Sequence, residues 1–325
     1  MTTRSFELMC WALIALSTFT PSVTFAERQS VFSAAEKISE EKVRLRDDPY
    51  KKFLSLAALY QLLVKPELQK IDSLSTDEIK TSFYLSAEIA YYSNLYAGRS
   101  DPSYVEDMHL AYQELEKRHN VLNSERTAMR EAFEQYRDFR SAQEISGKPS
   151  IISSQWEEKA LATNSSTEEY SHSKPVISIS SDQTKFEISK RNLSNEFQII
   201  VVAGCHFAGD AASAIDANTE LRSAFEKANA IWIASGTTAL DLKDFSLWKS
   251  DHPRQPLLVA YDNSDWQNVE FDSIPAFYFF KREKLVAVIT GLSSDDSMTL
   301  LMETLRRNGF LDSPTGTANA LHPVP

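Results

Sequence analysis

Phe197-Gln198-Ile199-Ile200-Val201-Val202-Ala203-Gly204-Cys205-His206-Phe207-Ala208 is the stretch from which the fold of this chain is read. Its first seven residues form a β-branched apolar run, the pattern of a strand buried on both faces. Gly204 breaks the run. The helical pattern after it places Cys205 at a strand-to-helix junction, facing the unpaired backbone N–H groups of a helix start.

Working outward, strand and helix signals alternate from Val176 to Asp312. Val176–Ile179 and Lys185–Ile188 predict a leading hairpin. Ala230–Ala234 and Leu257–Tyr261 predict two further buried strands, and Ala276–Lys281 with Leu285–Thr290 a closing hairpin. Helices are expected over Ala211–Ala228, Thr238–Trp248 and Ser294–Asn308. Strands alternating with helices imply a largely parallel sheet with helices on both faces.

Upstream, residues 27–145 read as an all-helical domain. Phe53, Leu56, Tyr60 and Leu63 share one helical face, and Pro66 follows as a stop. Ser75-Thr76-Asp77-Glu78 has the spacing of a capping box before a second stripe of Ile79, Phe83, Ala87 and Ala90. A third helix is expected after Asp101-Pro102. A fourth is expected from about Ser124 to Ile145, with Ala132, Tyr136 and Phe139 in line. An irregular bundle and a tetratricopeptide-like array both fit this pattern. Tyr91, Tyr92 and Tyr96 suit either the core or a partner groove.

Residues 146–175 are rich in Ser, Thr, Glu and Asn and read as a linker. Residues 313–325, with three prolines and no core pattern, read as a disordered tail. Residues 1–26 have the form of a secretory signal. Arg4 precedes an apolar run from Leu8, and Thr24-Phe25-Ala26 offers a cleavage site before Glu27. The run is too short to span a bilayer. A periplasmic or extracellular location and a mature form without a membrane span are therefore expected.

The net charge of −11 argues against nucleic-acid partners. Of the two cysteines, Cys10 falls in the signal, so the mature chain has one thiol and no internal disulfide. No phosphate-cradling glycine motif is present. The histidines are scattered without metal-ligand spacing, so neither a metal nor a cofactor is expected.

Gly204-Cys205 at a strand-to-helix junction resembles the thioredoxin-like superfamily. So does Ser273-Ile274-Pro275-Ala276-Phe277-Tyr278-Phe279-Phe280, which is similar to that superfamily's cis-proline turn and following apolar strand. The resemblance covers about residues 176–312. It implies a two-domain α+β chain whose C-terminal thioredoxin-like α/β domain holds a mixed sheet. It also implies a site of Cys205 and His206, with Phe207, Ile274 and Pro275 meeting a substrate or partner. Where the family's second cysteine would stand, this chain has Ala208, so the Cys-x-x-Cys motif is incomplete.

Two functions follow from that departure. One is a partner-binding or assembly factor without dithiol redox cycling, meeting a protein at the helical domain or the proline loop. A similar layout, helical region first and thioredoxin-like domain second, occurs in some secretion-apparatus and pilus-assembly proteins. The alternative is a monothiol oxidoreductase or isomerase-like enzyme, with Cys205 as nucleophile and an external thiol as resolver. In that version His206 either stabilises the thiolate or moves a proton.

Overall fold

The computed structural model describes residues 30–98, 101–147, 173–193, 196–291 and 295–311. The signal at 1–26, most of the linker and the tail lie outside the described residues. Ser173, Lys174 and Pro175, read from the sequence as linker, already belong to the first strand.

The N-terminal domain is a helical bundle. It comprises α1 (Val31–Arg44), α2 (Pro49–Leu63), the single turn α3 (Lys65–Leu68), α4 (Thr76–Ala97), α5 (Ser103–Lys117), α6 (Asn123–Gln135) and α7 (Phe139–Ser146). Pro66 sits in the first turn of α3, after the chain has bent at Val64. That is the one helical position where a missing N–H costs nothing. The box at Ser75 forms: Glu78 N–H donates to Ser75 Oγ at 3.3 Å, and Ser75 N–H donates to Glu78 Oε2 at 2.9 Å. α4 is the axis of the bundle, packing against α1, α2, α5 and α6. Ile79, Phe83 and Ile89 on α4 are fully buried against Leu56, Tyr60, Met108 and Tyr112.

One helix expected here is two. The run 124–145 breaks at Tyr136-Arg137-Asp138, where Arg137 takes a left-handed φ of 63°. Asp138 then caps α7 by accepting from Ser141 N–H at 3.0 Å. The break turns Phe139 away from the helical core and into the core of the second domain.

The second domain contains β1 (Ser173–Ile179), β2 (Phe186–Asn192), β3 (Phe197–Val202), α8 (His206–Ala217), α9 (Thr219–Lys227), β4 (Ile231–Ala234), α10 (Leu242–Asp251), β5 (Leu257–Ala260), β6 (Ala276–Lys281), β7 (Lys284–Thr290) and α11 (Asp295–Arg307). The strands form one sheet in the order β2-β1-β5-β4-β3-β6-β7. β3, β4 and β5 run parallel; β1 and β6 flank them antiparallel. The sheet is mixed, as the family resemblance implied, but it is not largely parallel as the strand–helix alternation implied: only β3–β4 and β4–β5 pair in parallel, because hairpins flank them on both sides.

Three expectations need correction. The helix read over Ala211–Ala228 is two helices, because Asn218 ends α8 and caps α9, accepting from Glu220 and Leu221 N–H. α10 starts at Leu242, not Thr238, because Asp241 is its cap. The helices also do not cover both faces. α8, α9, α10 and α11 all pack on the face that carries Ile199, Val201, Trp232, Val259, Phe277 and Phe279. The opposite face, with Ile200, Val202, Ile233, Leu258 and Tyr278, is covered by Trp266, Val269 and Phe271 of the irregular segment after β5, and by Leu95 of α4. A strand buried on both sides needs apolar cover, but a loop carrying three large side chains supplies it as well as a helix does.

Candidate functional site

The site is built at the carboxyl ends of the parallel strands, the edge where open α/β sheets present their loops. β3 delivers Gly204 and Cys205 there. Gly204 has φ 137°, a left-handed value that suits glycine, and lies against Ala234 at the end of β4. Cys205 is extended, at φ −135° and ψ 169°, and forms the N-cap of α8 without a capping bond from its side chain.

The Cys205 thiol lies 3.9 Å from the carbonyl oxygen of Ile274. The Ile274–Pro275 bond is cis. Pro275 itself is buried, and β6 begins at the next residue, pairing Ala276 with Val202 of β3. Cys205 as a residue is partly buried. Phe207 and Ile274, at 52% and 37% exposure, leave apolar side chains open on the same surface. The structure thus brings Cys205, Ile274 and Pro275 together. His206 is exposed and lays its ring on Phe207, centroids 3.9 Å apart. Among the described residues it makes no hydrogen bond to the sulfur.

Ala208 is fully buried, its methyl packed with Ala211, Ala212 and Ile215 against the sheet. The position that would hold a resolving thiol is therefore part of the hydrophobic core. His252, at the end of α10, approaches the next turn of α8: its Nε2 would be 3.5 Å from a Cβ built on Gly209.

In the order β5-β4-β3-β6-β7, three parallel strands are followed by an antiparallel hairpin. A cysteine opens the helix after the central strand, and a cis proline opens the facing strand. This is the arrangement that the resemblance to the thioredoxin-like superfamily implied. No family model and no curated protein matches the chain. A solved thioredoxin-like protein from Bacteroides caccae is similar at 11% identity, with 89% of this chain and 99% of that one covered and a TM-score of 0.28. A likeness that loose carries no argument, and the fold is read from the strand order and the proline loop.

The thioredoxin-like reading did not anticipate what covers the neighbouring strand ends. Arg137, between α6 and α7, reaches across from the helical domain and is 5% exposed. Its guanidinium donates to four backbone carbonyls: Glu134 at 2.8 Å, Gly236 at 3.1 Å, Ala260 at 2.7 Å and Tyr261 at 3.0 Å. Asn263 completes the closure by accepting from Gly236 N–H at 2.7 Å and donating to Ser235 Oγ at 3.0 Å. Gln135 donates to the Thr237 carbonyl at 2.8 Å. The ends of β4 and β5 are thus sealed by the helical domain, while the end of β3 stays open.

Nothing in the sequence marked Arg137 or Asn263. An arginine in a charged helical stretch reads as a solvated face, and only the left-handed turn aims it inward. Among the described residues, no three His, Cys, Asp or Glu side chains converge as a metal site, and no helix is long and apolar enough to cross a membrane.

Proposed function

We propose that this protein is an exported partner-binding or assembly factor that uses a thioredoxin-like fold without dithiol redox cycling. Its partner is an extended protein segment received at the Ile274-Pro275 loop beside Cys205. The observation that carries this reading is the replacement of the resolving position by Ala208, buried in the core, while Phe207 and Ile274 remain exposed around the sulfur. Exposed apolar side chains beside an available backbone edge suit peptide recognition. The internal release step of a dithiol enzyme has no residue to perform it.

The partly accessible Cys205 sulfur favours a second reading, a monothiol exchange enzyme. The Cys205 thiolate would attack one sulfur of a substrate disulfide and expel the other as a thiolate. An external thiol would then attack the mixed disulfide, oxidising itself into a new one and returning Cys205 reduced.

Partner capture by the full mature chain separates the two. Binding that survives Cys205→Ser but is lost in Phe207→Glu with Ile274→Glu supports the adaptor. Loss in Cys205→Ser alone, with a disulfide-linked adduct recovered from the native protein, replaces it with the exchange enzyme. Export is tested by N-terminal sequencing of the mature protein, which should begin at Glu27.

A further inference from the structure

Where the two domains meet, the amino end of α2, the carboxyl end of α4 and the segment 263–272 line an open cavity of ≈ 420 Å³. That volume is within the range of small-ligand sites. Its lining has two chemical components. Tyr50, Tyr96 and Phe271 supply rings; Asp48, Glu270 and Asp272 supply carboxylates. Among the described residues that line it, none is basic.

The rings are held in place. Tyr96 meets Tyr50 edge-on with centroids 6.0 Å apart, and stacks on Phe53 at 6.1 Å and on Tyr92 at 6.4 Å. This stack already takes a cation elsewhere: Lys52 Nζ lies 5.0 Å from the Tyr92 ring centre. Burial, and then the charge of Asp272, push the Tyr96 phenol up to about 12, so it remains a neutral ring at physiological pH. Gly98 lines the cavity as well. With φ 71°, it allows α4 to end against the 262–264 turn, where a Cβ would stand 2.7 Å from Asp262 Oδ1.

We propose that this cavity binds an organic cation, a guanidinium or ammonium group on an apolar stem. The three carboxylates attract the charge, and the Tyr50 and Tyr96 rings take the stem and the cation face. The carboxylates exclude anions. They share the lining with aromatic rings, which suits a diffuse organic charge. The chain's net charge of −11 adds long-range attraction of the same sign. The inference is independent of Cys205 and of the proline loop.

The test is calorimetric titration of the full chain with two probes, agmatine and an acetylated peptide containing a single arginine. A peptide with citrulline in place of the arginine is the control. Saturable binding of agmatine supports the proposal and identifies a free small cation as the source. Saturation by the arginine peptide alone also supports it and identifies a partner's basic side chain. In either case Asp272→Asn with Glu270→Gln should weaken binding about tenfold or more, and Tyr50→Leu should do so independently. These three residues are exposed, so an unchanged thermal midpoint is expected to accompany the loss. No saturable binding by either probe overturns the proposal, as does equal binding of the citrulline peptide or unchanged affinity in the variants.

Discussion

The ends of β3 and of β4 and β5 belong to one edge of one sheet, yet they are treated in opposite ways. At β3 the chain leaves Cys205 at the start of a helix, with a carbonyl 3.9 Å away and apolar side chains exposed beside it. At β4 and β5 an arginine from another domain occupies the backbone acceptors that a ligand would use. Strand ends in such sheets offer several adjacent sites. The helical domain closes those next to Cys205 and leaves the cysteine and the proline loop as the open part of this edge.

The closed side gives the largest expected effect. Arg137→Ala removes a guanidinium that donates to four backbone carbonyls and should cost about 3–5 kcal/mol, read by chemical denaturation. Arg137→Lys keeps the charge but loses the planar fork, and should recover roughly half of that at most. A lysine variant as stable as the parent would show that charge, not geometry, makes the seal. Gly98→Ala comes next, at about 1–3 kcal/mol, because it combines a left-handed backbone with crowding of Asp262. Asp262 cannot move aside freely, since its Oδ1 accepts from both Ser264 N–H and Ser264 Oγ.

On the open side, Ala208→Cys puts a sulfur into a packed position and should cost about 1–2 kcal/mol. If the start of α8 keeps dithiol geometry, thiol titration after mild oxidation should find the Cys205 thiol consumed. Two thiols persisting would mean that the open end diverges from the dithiol enzymes in shape as well as in residue. The smallest effect belongs to Glu134, whose carbonyl accepts from Arg137 and whose carboxyl burial holds above the ordinary glutamate range. A carboxyl raised by folding binds its proton more tightly in the folded state. Its contribution is therefore full below the ordinary glutamate pKa and is lost as pH rises through the raised one. Glu134→Gln should flatten that part of the stability–pH curve, measured by thermal melting across mildly acidic pH.

The sequence revealed the open site better than the closed one, for physical reasons. A β-branched run ending in Gly-Cys, and an Ile-Pro before an aromatic strand, are local patterns whose meaning does not depend on distant residues. The Ser75–Glu78 cap is local in the same way. Arg137, Asn263 and Phe139 act through contacts with residues far away in the chain. Arg137 lacks even the usual marker, because a left-handed turn normally advertises itself with glycine or asparagine. The cover on the opposite face of the sheet was illegible too. Trp266, Val269 and Phe271 lie in an irregular stretch, and periodicity says nothing about a segment without a period.

The Arg137 bridge also determines how this protein can be divided. A chain cut within residues 148–172 would separate two pieces that look autonomous, each with its own core. The C-terminal piece would nevertheless lose the guanidinium that donates to three of its backbone oxygens. Grafting this C-terminal unit onto another carrier therefore means bringing the Tyr136-Arg137-Asp138 turn with it. The inheritable module runs across the apparent boundary.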